Sequence, residues 1–199
     1  QVAPDTSAAA YLRQLPGLVR LHLRETLKST YFVAIAVTGA IFILANAKVI
    51  GSIYGTNTYP LTYLVIEFAG GTFQIFMLVI ITLYAGELVW RERDARMALI
   101  ADSLPVPGWL PLAAKLLTLF IVPAVLQLVV IVCGVLIQLF SGYTHIELWQ
   151  YLFDLFVLQL PRYWILACLI LAIHVAVNHK YLGHFLVVAY YIASAAASG

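Results

Sequence analysis

Residues 61–89 read LTYLVIEFAGGTFQIFMLVIITLYAGELV. Glu67 and Glu87 are the only formally charged residues in that run. A helix needs about 20 predominantly apolar residues to cross a hydrocarbon core of about 30 Å. This stretch exceeds that and has length to tilt. Gly70-Gly71 marks a place where a neighbouring helix can approach closely. Further apolar runs lie at about 31–47, 110–140, 161–177 and 181–197. Between them, 48–60 holds Gly, Asn, Thr, Tyr and Pro60, which is a loop composition. Residues 141–146 read as a short polar turn, and Asn178-His179-Lys180 as a tight one. From Glu147 to Leu160 the pattern suggests an outer interfacial helical piece. Pro161-Arg162 is expected to separate it from a span starting near Tyr163. The expected fold class is all-α: a polytopic transmembrane helix bundle of about five spans occupying residues 30–199.

Composition agrees. Of 199 residues, 63% are hydrophobic and 10% are charged, with a mean hydropathy of +0.97. Soluble domains carry roughly 45–50% apolar and about 25% charged residues. The apolar excess must face lipid or other lipid-embedded helices. Cys133 and Cys168 both fall inside apolar runs. They read as small hydrophobes rather than as a disulfide or metal pair.

Ahead of the first span, residues 1–10 are small and polar, a linker or mobile end. Residues 11–29 read as an interfacial amphipathic helix. Leu15, Val19, Leu23 and Leu27 repeat on one face, with Arg20, Arg24 and Lys28 beside them. Such a helix lies in the membrane interface with its cations toward lipid phosphates. The alternative is a surface helix packed on other protein. No early apolar segment of signal-peptide type is present. The chain opens on Gln1 and stops directly after an apolar run, so a longer parent chain with a sixth span is expected.

Basic residues set the orientation. With the N-terminus inside, the inner segments hold Arg13, Arg20, Arg24, Lys28, Arg91, Arg93, Arg96, Lys115 and Lys180, and the outer segments hold Lys48 and Arg162. Nine against two places the N-terminus in the cytoplasm of a cell (inner) membrane protein. Trp90, Trp109, Trp149 and Trp164 lie near expected span ends, where amphipathic rings settle.

Mid-span positions are nearly free of charge, which argues against an ion-coupled carrier or channel. Gln74, Gln127 and Gln138 are expected to bond neighbouring helices. No Gly-rich phosphate loop with a Lys and no His-Glu-x-x-His occurs, so no enzyme chemistry is expected. His174, His179 and His184 are five apart, and on one continuous helix they would not share a face. A turn at Asn178 could gather them. Ordinary hydrogen-bonding histidines are the better reading, and no metal site is assigned.

The most charged stretch is residues 90–109. Glu87 and Arg91 are i, i+4, as are Glu92 and Arg96, which supports a helix continuing out of the second span. Met97, Ile100, Ala101 and Leu104 then form an apolar stripe, ended by Pro105 and Pro107. Two readings stay open: a rigid helical elbow at the cytoplasmic surface, or a plain anchor with arginines reaching lipid phosphates.

The run Tyr84-Ala85-Gly86-Glu87-Leu88-Val89-Trp90-Arg91-Glu92-Arg93-Asp94, with Asp102-Ser103-Leu104-Pro105-Val106-Pro107 and Lys115, resembles the first cytoplasmic loop of ABC-2-type transporter permeases. Within that family it looks like the kind that can be fused to an M1-type aminopeptidase-like domain. Val177-Asn178-His179-Lys180-Tyr181-Leu182-Gly183-His184 resembles a turn in the same proteins. The resemblance spans roughly residues 10–197. It implies a permease working with a separate cytoplasmic ABC ATPase, on which ATP and Mg are expected. No cofactor is expected in this chain. Glu87, Trp90, Arg91, Arg93, Asp94, Leu104 and Pro105 would form the ATPase-coupling loop, and the basic helix would match the family's connecting helix. A second permease half or a homodimer partner is implied, along with the lipid bilayer, and no nucleic acid. Two departures stand: one span fewer than six, and no peptidase sequence. A membrane anchor for a peptidase-like enzyme and a non-transporting scaffold subunit remain the alternatives.

Overall fold

A computed structural model describes residues 8–47, 52–53, 56–57, 60–94, 107–177 and 179–197, with side chains from Tyr11 onward except at 48–59 and 91–94. It is an all-α chain. Helix α1 (Ala8–Lys28) and α2 (Thr30–Ala45) are separated by Ser29, whose extended backbone (φ −63°, ψ 132°) interrupts the ladder. A two-residue antiparallel pair follows, Ser52–Ile53 against Thr56–Asn57, where the composition suggested only a loop. Then come α3 (Thr62–Asp94), α4 (Trp109–Phe140), α5 (Leu148–Leu152), α6 (Leu160–Ala176) and α7 (Lys180–Ala197).

Helices thus form at all five apolar runs. Three are individually long and apolar enough to cross a membrane: Thr62–Trp90, Trp109–Phe140 and Leu148–Ala176. A fourth is reached if α1 and α2 act as one span bent at Ser29. Alone, α2 has 16 residues, below the usual requirement. Helix α7 reaches 18 residues, but Lys180, His184 and three tyrosines lower its apolarity. At about 1.5 Å per residue, the 33 residues of α3 extend about 50 Å, well beyond a core of about 30 Å.

One element differs from the sequence expectation. Pro161-Arg162 does not interrupt the helix. Residues 148–176 are continuously helical, with a π-helical turn over Phe153–Gln159 joining α5 to α6. Proline cannot donate to the preceding turn, and in a regular helix its ring clashes with the carbonyl four residues back. The wider π ladder just before Pro161 accommodates both.

Helix α4 closes on a tight turn. Gly142 has φ +75°, and Tyr143 N–H returns to the Gln138 carbonyl at 2.9 Å. This is a helix C-terminus that needs a left-handed residue, which glycine supplies without steric cost.

The described chain forms two compact units. The second comprises Lys28–Ile80 and Val122–Trp164. Its core holds Ile43, Phe73, Ile80, Leu126, Tyr151 and Leu155. Gly39 of α2 lies against Phe73, so close that a Cβ there would sit 2.6 Å from the ring. Phe76 packs 5.8 Å from Phe73 and 6.1 Å from Phe42, centroid to centroid. Gly70 receives the Gln159 amide, 3.2 Å from where a Cβ would stand, whereas Gly71 has open space. The close approach expected at Gly70-Gly71 is therefore made at Gly70.

Polar groups in this unit gather at Gln138, which is fully buried. Its Nε2 donates to the Pro60 carbonyl and to Thr62 Oγ1, both at 3.1 Å. Its Oε1 accepts from the Tyr151 hydroxyl at 3.0 Å. The expectation that a span glutamine bonds its neighbours holds here. Gln74 is exposed instead, and Gln127 is buried with its Nε2 unpartnered among the described residues. Cys133 is buried and Cys168 exposed, both as free thiols.

Candidate functional site

The first unit comprises Gln1–Leu27, Ile81–Ile121 and Ile165–Gly199. It contains the end of α3, toward which the sequence points. Helix α3 runs unbroken past the apolar segment to Asp94. Glu87 is exposed on it, and Trp90, one turn on, is buried. Arg91, Arg93 and Asp94 continue the same helix, their side chains outside the described ones. Leu104, Pro105 and the elbow expected over Met97–Leu104 lie outside the described residues.

Trp90 departs from the interfacial role expected of it. Trp109, Trp149 and Trp164 are exposed. Trp90 is buried, and its indole N–H donates to Nδ1 of His174, in the last turn of α6, at 3.2 Å. His174 is itself fully buried. The ring of His184, early in α7, meets it edge-on at 4.7 Å between centroids. Two glycines make room. A Cβ on Gly86 would meet His184 Cε1 at 2.5 Å and His174 Cε1 at 3.3 Å. A Cβ on Gly183 would meet His174 Nδ1 at 2.5 Å. Two of the three histidines, His174 and His184, are therefore brought together; Asn178, where a turn was expected, lies outside the described residues. His179 lies instead beside Tyr181, ring centroids 5.8 Å apart. Among the described residues no group of three His, Cys, Asp or Glu side chains is placed to hold a metal.

Helix α1 docks on the same end of α3. Arg20, Arg24 and Lys28 are exposed, and the Leu15–Val19–Leu23–Leu27 stripe is half-buried. The buried positions are His22 and Thr26. With Glu25 they line a small cleft whose other wall is Tyr84, Glu87 and Leu88. His22 Nδ1 stands 3.9 Å from Glu25 Oε2, one turn along α1. Periodicity located the basic face but missed His22 and Thr26, because polar residues beside a leucine stripe read as its solvent edge. The Trp90–His174 bond joins residues 84 apart.

Apolar helices able to cross a bilayer, with a charged extension of one of them, define a multi-pass membrane protein. Residues 25–194 match the family described as "ABC-2 family transporter protein", and the chain belongs to that family. It is accordingly a membrane-spanning permease component of ABC-transporter type. No curated protein and no solved structure gives a match.

Proposed function

We propose that the chain is the permease part of an ABC-2-type exporter, driven by a separate cytoplasmic ATPase through the segment 87–105. The observation that carries this reading is the unbroken α3. Its apolar length and the charged residues to Asp94 form one helix, so a force applied past Trp90 acts on the same helix that carries the apolar span. ATP and Mg would be held by the partner, and the permease would need a second half or a second copy of itself to enclose a path. Arg20, Arg24 and Lys28 would rest on lipid phosphates at the cytoplasmic face.

Replacing Glu87, Arg91 and Arg93 together by alanine should abolish copurification of the ATPase while membrane insertion stays normal. Retention of the ATPase with normal stimulation would remove the coupling role. Orientation is tested separately. In a variant lacking Cys133 and Cys168, a cysteine at the exposed Thr144 should react with a membrane-impermeant maleimide applied to intact cells. A cysteine at Arg20 should react only after permeabilisation, and the opposite pattern would invert the topology.

The fusion to an M1-type zinc aminopeptidase-like domain rests only on the likeness of residues 84–94, 102–107, Lys115 and 177–184. A His-Glu-x-x-His in adjoining coding sequence would favour the anchor reading.

A further inference from the structure

We infer that His174 is a positioning residue that ties the end of α3 to α6 and α7, so that displacement of the segment after Trp90 is delivered to both helices. This deepens the proposed coupling reading and rests on it.

The starting point is an imperfectly satisfied polar ring. His174 accepts from Trp90 at Nδ1, so its neutral tautomer carries the proton on Nε2. That Nε2 is buried and has no hydrogen-bond partner among the described residues. A leucine would remove that unmade donor, but it would also remove the acceptor that the Trp90 indole N–H uses here. What the imidazole adds is direction: one hydrogen bond, donated from α3 to a single ring nitrogen on α6.

The surroundings give that bond mechanical meaning. His174 has the backbone of Gly183 on one side, the edge of His184 on another, and Gly86 close to its Cε1. Gly86 and Trp90 are one turn apart on α3, so the same helix both holds the ring and packs near it. Interiors packed this closely shift between discrete arrangements instead of deforming continuously. If Trp90 moves, the His174 ring must follow or the bond must break. If the ring follows, Gly183 and His184 carry the shift into the first turns of α7. Trp90 and His174 are both buried, which distinguishes them from the charged residues expected to touch the ATPase.

The test uses the full-length permease with its copurified ATPase in lipid nanodiscs. Trp90→Phe keeps an aromatic ring and removes the donor. His174→Phe removes the acceptor, and His174→Gln keeps one. Expected is that His174→Phe retains the ATPase, and that Trp90→Phe and His174→Phe each lower permease-stimulated ATP hydrolysis by about fivefold or more. The double variant should be no worse than either single, because one shared bond has been removed. His174→Gln should recover stimulation. If both single variants stimulate normally, or if their effects multiply, the inference is overturned. Should His174→Phe fail to fold, Trp90→Phe and His174→Gln carry the same comparison.

A second readout needs no ATPase. In 15N-tryptophan-labelled permease, the indole N–H resonance that vanishes in Trp90→Phe should move upfield in His174→Phe. A resonance that stays in place shows that the bond is absent and sinks the inference, whatever the ATPase does. A resonance that moves, in a permease that recruits no ATPase, removes the coupling reading and with it the transmission role.

Discussion

Gly134→Ala is expected to destabilise the permease by about 1–5 kcal/mol, with a lower midpoint in thermal or denaturant unfolding in detergent. A Cβ at Gly134 would stand 2.7 Å from the Tyr151 hydroxyl oxygen and 2.8 Å from Cε1. Tyr151 has little freedom to retreat, being fully buried with its hydroxyl bonded to Gln138. Overpacking typically costs about 1–3 kcal/mol. Pushing the phenol away also leaves Gln138 Oε1 without its donor, at about 1–3 kcal/mol. Against this, alanine is favoured over glycine in a helix interior by about 1 kcal/mol. The two penalties outweigh the gain. Unchanged or raised stability would show that helix propensity wins and that α5 yields easily to α4.

Gln138→Leu is expected to be the other severe substitution. It deprives three buried groups of their partner: Thr62 Oγ1, the Pro60 carbonyl and the Tyr151 hydroxyl. Interhelical hydrogen bonds in membranes average only about 0.6 kcal/mol when one is removed, because the groups set free find substitutes. Here Pro60 and Thr62 are both buried at the start of α3, where few alternatives lie within reach. A loss of about 1–3 kcal/mol per stranded group makes the sum larger than that average suggests. Tyr151→Phe, which strands only Gln138 Oε1, is the comparison. Gln138→Leu should lower the unfolding midpoint clearly further. Equal losses would mean that the Pro60 and Thr62 contacts contribute little.

The order of these effects bears on what the sequence made legible. Residues 61–89 and 110–140 announce themselves as helices by apolar length alone, and the helices stand there. The basic face of α1 was equally plain, since Arg20, Arg24 and Lys28 repeat every four residues. Pro161 misled, because proline usually reads as a break and a wide turn placed before it leaves no mark in composition. Trp90 was legible as an aromatic near a span end, but not as a buried donor. No period connects it to His174 on another helix. Gln138 was legible in kind, as a polar residue needing a neighbour, while the identity of that neighbour depended on how three elements meet. Sequence periodicity describes a helix against its surroundings in general; it is silent on which particular atoms those surroundings present.

The turn at Phe153–Gln159 has an implication for how this protein can vary. A wide turn amounts to one extra residue accommodated without leaving the helix, and one residue rotates everything beyond it by about 100°. Residues before and after it therefore keep separate phase. Elsewhere in the long helices, an inserted or deleted residue would exchange buried and lipid-facing side chains along the whole remainder. Around residues 153–159 the same event can be taken up by widening or tightening a single turn. Length changes of one codon are thus most easily tolerated there, and they would re-aim α6 without rebuilding it.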